Sequence, residues 1–187
     1  MTTVTQKAPT DRYLGIYLND HRAGAAAGLA LAKRAQRENA GTPFGDALST
    51  LVAAIEEDVA ELERVARKLG VRADPVKLGI ARAGEMASRL KPNGQLRGYS
   101  PLSRLLEIES LIAGIEAKRS LWRSLQFAER PELTEFDFRA LEERAVRQRD
   151  QLAEHHRAAA RLAFTETHDE PGEKREAETS SMPPPID

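Results

Sequence analysis

Apolar residues recur every three or four positions through almost the whole chain, and the strict alternation of a half-buried strand is missing. The breaks in the pattern carry chemical signals. Thr42-Pro43, Asp74-Pro75 and Ser100-Pro101 each set a capping side chain before a proline, whose missing N–H and preset φ suit a first helical position. Gly41 and Gly70 follow helical runs, where a left-handed residue closes the last turn. These marks predict helices over 11–39, 43–69, 75–90, 101–128 and 135–163. Residues 1–10 and 164–187 read as disordered, the tail being polar, charged and proline-rich, and 11–163 as one helical bundle domain.

The lengths suggest the architecture. At 1.5 Å per residue the four long helices span roughly 40 Å and the third only about 24 Å. A short helix followed by the Pro92-Asn93-Gly94 turn can run the length of a bundle and return the chain to its starting end. The expectation is an all-α fold: four long helices in a ferritin-like bundle, up, down, down, up, with the short fifth helix in the crossover. A plain five-helix array is the alternative.

The apolar seams then name the expected core. The first helix offers Leu14, Leu18, His21, Ala25, Gly28 and Ala32, with Gly24 and Gly28 allowing close backbone approach. The second reads Leu51, Ile55, Asp58, Leu62, Val65, Leu69 at heptad spacing, which carries Asp58 on or beside the core. The fourth centres on Leu105, Ile108, Ile112, Ile115 and Trp122, flanked by Glu109 and Glu116. The last offers Phe138, Leu141, Ala145, Leu152, His155, Ala159 and Leu162. Glu63/Arg67 and Glu143/Arg147 have the spacing of exposed i,i+4 pairs.

Composition narrows the function classes. Twenty-eight Lys and Arg stand against 29 Asp and Glu, a balance that argues against a nucleic-acid partner, which needs a basic face. With no cysteine, thiol chemistry and Cys-type zinc sites are excluded. The most apolar run, 23–32, is ten residues between charged flanks, half of what a membrane span needs. No secretory leader fits the N-terminus, so a cytoplasmic, membrane-free protein is expected.

Candidate chemistry rests on the ionisable residues near the seams: His21, His155, Asp58, Glu109 and Glu116. A di-iron bundle needs Glu-x-x-His on two helices. The residues three before His21, His155, His156 and His168 are Leu18, Leu152, Ala153 and Thr165, so that motif is absent. His21 and His155 should lie about 15 Å apart along the axis, too far to share one ion. Bundle geometry puts Asp58 and Glu116 near the level of His21, and Glu109 near His155. A metal set of His21, Asp58 and Glu116, binding iron, manganese or zinc, is thus the sharp reading. Satisfied core histidines with no cofactor are the preferred one. His155 and His156 are adjacent, so their side chains diverge by about 100°. No nucleophile elbow or phosphate-binding glycine loop occurs.

The run YLNDHRAGAAAGLALAKRA (17–35), RGYSPLSRLLEIESL (97–111) and the 148–163 helix resemble an uncharacterised family of small bacterial, mostly actinobacterial, helical-bundle proteins with a YLNDH-type first helix. The excess of 21 Arg over 7 Lys agrees with a GC-rich source. The resemblance implies a fold and no activity, and Arg22 stands where that family suggests an apolar residue. The expected function is non-enzymatic: a bundle acting through a protein partner or self-association as a homo-oligomer, with 158–164 a candidate surface. The alternative is a ferritin-like metal-binding protein with the atypical set above.

Overall fold

A computed structural model of the protein describes residues 9–74 and 99–165. They form four helices: α1 (Pro9–Glu38), α2 (Pro43–Lys68), α3 (Pro101–Gln126) and α4 (Phe138–Thr165), with a 3₁₀ turn at Pro131–Leu133. No strand occurs among the described residues. α1 starts two residues earlier and α4 ends two residues later than the sequence suggests, so that the helices take in 9–10 and 164–165. The remaining terminal residues, and the short helix expected at 75–90, lie outside the described residues.

Local chemistry places the helix ends. The Thr42 hydroxyl accepts from the Gly45 N–H at 3.1 Å, and Ser100 accepts from Ser103 at 3.1 Å, each satisfying a first-turn donor. Gly41 and Gly70 take φ of +77° and +64°, the left-handed values expected of them. α4 begins three residues later than the pattern implies. There the Asp137 carboxylate accepts from Ala140 N–H at 3.0 Å, while Phe136 and Leu133 are buried before the helix starts.

Cross-helix contacts give the directions. Arg34 near the end of α1 meets Glu107 near the start of α3 at 3.0 Å, and Arg130 beyond α3 meets Asp11 at 2.8 Å. α1 and α3 are therefore antiparallel. Glu109 with His156, and Arg119 with Glu142, set α3 against α4 the same way. Phe44 at the start of α2 touches His155 late in α4, ring centres 5.2 Å apart. The four helices thus run up, down, down, up. α1–α2, α3–α4 and α1–α3 pack extensively, and α2 meets α4 more lightly.

The core divides into two apolar clusters. One gathers Phe44, Leu48, Ile55, Ile108, Ile115 and Leu152. The other gathers Leu18, Leu62, Val65, Leu121, Trp122 and Phe138. The heptad stripe of α2 is buried from Leu48 to Val65, as its periodicity implies. On α3 Leu111 is buried and Ile112, expected in the core, is half-buried; on α4 Leu162 is exposed rather than core.

Two expected surface pairs are replaced. Glu63 accepts from Arg22 rather than pairing with Arg67, and Glu143 pairs with Arg139 at 3.2 Å. Arg22 is only 7 % exposed. Its Nε donates to Glu63 at 2.8 Å and its Nη1 to the Val71 carbonyl at 3.3 Å. The arginine at an apolar position is thereby paired and tied to the chain leaving α2.

Candidate functional site

Asp58 falls between Ile55 of one cluster and Leu62 of the other, on the buried stripe of α2, and is 3 % exposed. A lone carboxylate there would be costly, and it is not alone. Its oxygens accept from Lys118 of α3 and from Arg144 and Gln148 of α4, the last at 3.0 Å. The Gln148 amide oxygen accepts from Lys118 as well. Arg144 also reaches the exposed Glu57 at 3.1 Å. Three helices are thus joined at mid-bundle by one carboxylate, one amide and two cations. Burial pushes the Lys118 pKa down, and the neighbouring Asp58 opposes that shift.

Beside this polar centre lies a cavity of about 370 Å³ between α1, α2 and α3. Its walls take Ile55 and Ile115 from one cluster and Leu62 and Trp122 from the other, so the gap sits at the seam between them. Small residues create it. A Cβ built on Gly24, Gly28 or Gly114 would meet nothing within 4 Å. Gly24 and Gly28 therefore border open space; the close backbone approach expected of them is not found. His21 and Lys118 supply polarity on the walls. The His21 ring packs edge-on against Tyr17, centres 4.6 Å apart, and burial lowers its pKa from 6.5 despite the opposing charge of Asp20. At neutral pH His21 is an uncharged imidazole, able to donate and accept.

The residues singled out from the sequence are partly brought together. His21 and Asp58 line the same cavity. Glu116 does not: it pairs with Arg119 at 3.2 Å and Arg149 at 3.1 Å on the α3–α4 side. His155 lies against Phe44, and its expected partner Glu109 meets His156 instead, at 3.2 Å. The one-residue change follows from the 100° step between adjacent helical positions. Among the described residues no group of three or more His, Asp or Glu is arranged to hold a metal ion. No helix among them is long and apolar enough to cross a membrane.

Lys118 and Gln148 are the functional candidates that pattern reading passed over. A lysine three residues after Ile115 and an i+4 glutamine after Arg144 look like solvent-facing residues. The available signal was that Lys118 lies seven residues after Leu111, on the same face.

A second feature lies at the end of the bundle where α4 finishes. Phe164 is 73 % exposed, and Leu162 and, near the start of α3, Leu106 are also exposed.

Comparison with family models, with curated proteins and with solved structures finds no match for this chain.

Proposed function

We propose that this chain is a non-enzymatic binding protein of the cytoplasm, and that its ligand site is the cavity between α1, α2 and α3. The observation that carries the reading is the void itself. Helix interfaces in a bundle normally close to crystal-like density, yet exposed Gly24 and Gly114 and half-buried Gly28 leave a cavity of about 370 Å³ here, open to solvent on one side. That volume, with mostly apolar walls and a few polar groups, is within the ~300–1,000 Å³ of small-molecule sites. Trp122, the chain's one tryptophan, lines the cavity and reports on it. Titration with 1-octanol is expected to give a saturable, one-to-one change in its fluorescence. Gly114→Leu, which puts a side chain into the void, should abolish it. A linear, non-saturating response in the wild type would end the reading.

Self-association is the second reading, favoured by exposed Leu106, Leu162 and Phe164 at one end of the bundle. It expects a sedimenting dimer that Phe164→Glu returns to monomer; a monomer at high concentration would dismiss it. A ferritin-like arrangement is supported by the helix directions alone, and a metal at His21, Asp58 and Glu116 has less support. Asp58 and Glu116 are already engaged by cationic side chains. Elemental analysis tests it, with stoichiometric iron, manganese or zinc as the result in its favour.

A further inference from the structure

From the same cavity we infer the class of ligand: a small amphipathic anion, an apolar body of medium length ending in a carboxylate. This rests on the binding-site reading above and goes beyond it in assigning the charge. The cavity walls are apolar apart from a few groups, and among the described residues the one cation on them is Lys118. Its ammonium has three protons. Two go to Asp58 and Gln148, which leaves one for an acceptor in the cavity.

The local charge balance favours an anion. Asp58 is the buried carboxylate of the centre and is shared by Lys118 and Arg144, of which Arg144 also has the exposed Glu57 at 3.1 Å, so that Lys118 depends on Asp58 alone for countercharge. A largely buried ammonium that shares its one carboxylate gains more from a further negative partner than an exposed one does. Burial lowers the Lys118 pKa, Asp58 opposes the shift and the nearby Arg144 charge adds to it. His21 is uncharged at neutral pH and offers a hydrogen bond rather than a rival charge. Asp20, the other acid at the cavity, is exposed on α1, where solvent and salt screen it. An alkyl or aryl chain then covers the walls formed by Ile55, Leu62, Ile115 and Trp122, while its carboxylate accepts from Lys118.

Three probes of equal chain length separate the possibilities on the full-length protein: octanoate, 1-octanol and octyltrimethylammonium, followed by calorimetry and Trp122 fluorescence. Octanoate should bind one-to-one, about ten-fold or more tighter than 1-octanol, the preference expected of a charge-assisted hydrogen bond. The ammonium probe should bind most weakly. Lys118→Met should bring octanoate down to the level of 1-octanol, and Gly114→Leu should remove both. Should Lys118→Met fail to fold, the ranking of the three probes on the wild type still decides. Equal binding of octanoate and 1-octanol, both lost in Gly114→Leu, would overturn the anion assignment and leave the cavity reading standing. No saturable binding of any probe would overturn both.

Discussion

Glycine has opposite meanings in two regions of this bundle. At the α1–α2 corner, a Cβ on Gly45 would fall 2.1 Å from the Asn39 carbonyl oxygen, so the turn exists because that residue has no side chain. Around it, Asn39 donates to Ala35 O at 2.7 Å and to the Tyr99 hydroxyl at 2.9 Å, and Tyr99 donates to Glu107 at 2.7 Å. Burial pushes the Tyr99 phenol well above its ordinary pKa, which keeps it a donor throughout the physiological range. In the cavity, Gly24, Gly28 and Gly114 have empty space where a side chain would go. Gly45 permits contact, and the cavity glycines leave a gap. The corner is built for rigidity, and the gap is kept at a cost in stability.

The contrast can be broken most severely at the corner. Gly45→Ala drives a methyl into backbone that cannot yield, and should cost about 3 kcal/mol or more, read as a large fall in the urea midpoint. A loss below about 0.5 kcal/mol would mean that the corner relaxes freely.

Next comes the polar floor of the cavity. Asp58→Leu leaves Lys118 and Arg144 without their shared carboxylate. Breaking a fully buried pair costs roughly 3–5 kcal/mol; both cations keep some solvent contact, so about 2–3 kcal/mol is expected. Denaturant melts check it, and unchanged stability would show that the pairing adds nothing.

The glycines of the cavity should respond in the other direction. Gly28→Ala and Gly114→Ala add helix propensity where nothing obstructs the methyl, and each should stabilise by about 0.5–1 kcal/mol. A loss of stability at either position would show that the space is already filled.

The smallest effect is a pH dependence at His21. Its folded pKa lies below 6.5 because burial disfavours the charged ring. As pH falls, the unfolded chain therefore takes up that proton first. The His21 contribution is complete above about pH 6.5 and is lost as pH drops through the window below it. Melts at about pH 7.5 and about pH 5.5 should differ less in His21→Phe than in the wild type. Identical slopes would place His21 in a water-like setting.

Much of the frame was legible because it is written in local chemistry. Thr42-Pro43 and Ser100-Pro101 mark their helix starts to the residue, since a capping oxygen and a proline act within one turn. The α2 stripe was legible because Leu51, Ile55, Leu62, Val65 and Leu69 share one face with Asp58. The cavity was not. Gly24 and Gly28 read as places of close backbone approach, and only the position of α3 shows that they border open space instead. Lys118 and Arg22 were missed for a related reason. A long cationic side chain is exposed by default, and its burial depends on a carboxylate far away in sequence, Asp58 for one and Glu63 for the other.

The polar centre also bears on how the chain folds. α1 and α2 are joined through residues 39–42, and α3 and α4 through 127–137, so each hairpin forms from contacts near in sequence. Asp58 must find Lys118 and Arg144, 60 and 86 residues away. Local pairs close early and distant ones late. The expected order is two hairpins first, then their docking, with the ion cluster as the gauge of correct alignment. Asp58→Asn should therefore speed unfolding and leave the folding rate nearly unchanged, a φ-value near zero, whereas truncation of Leu48 or Leu51 in the α1–α2 hairpin should slow folding.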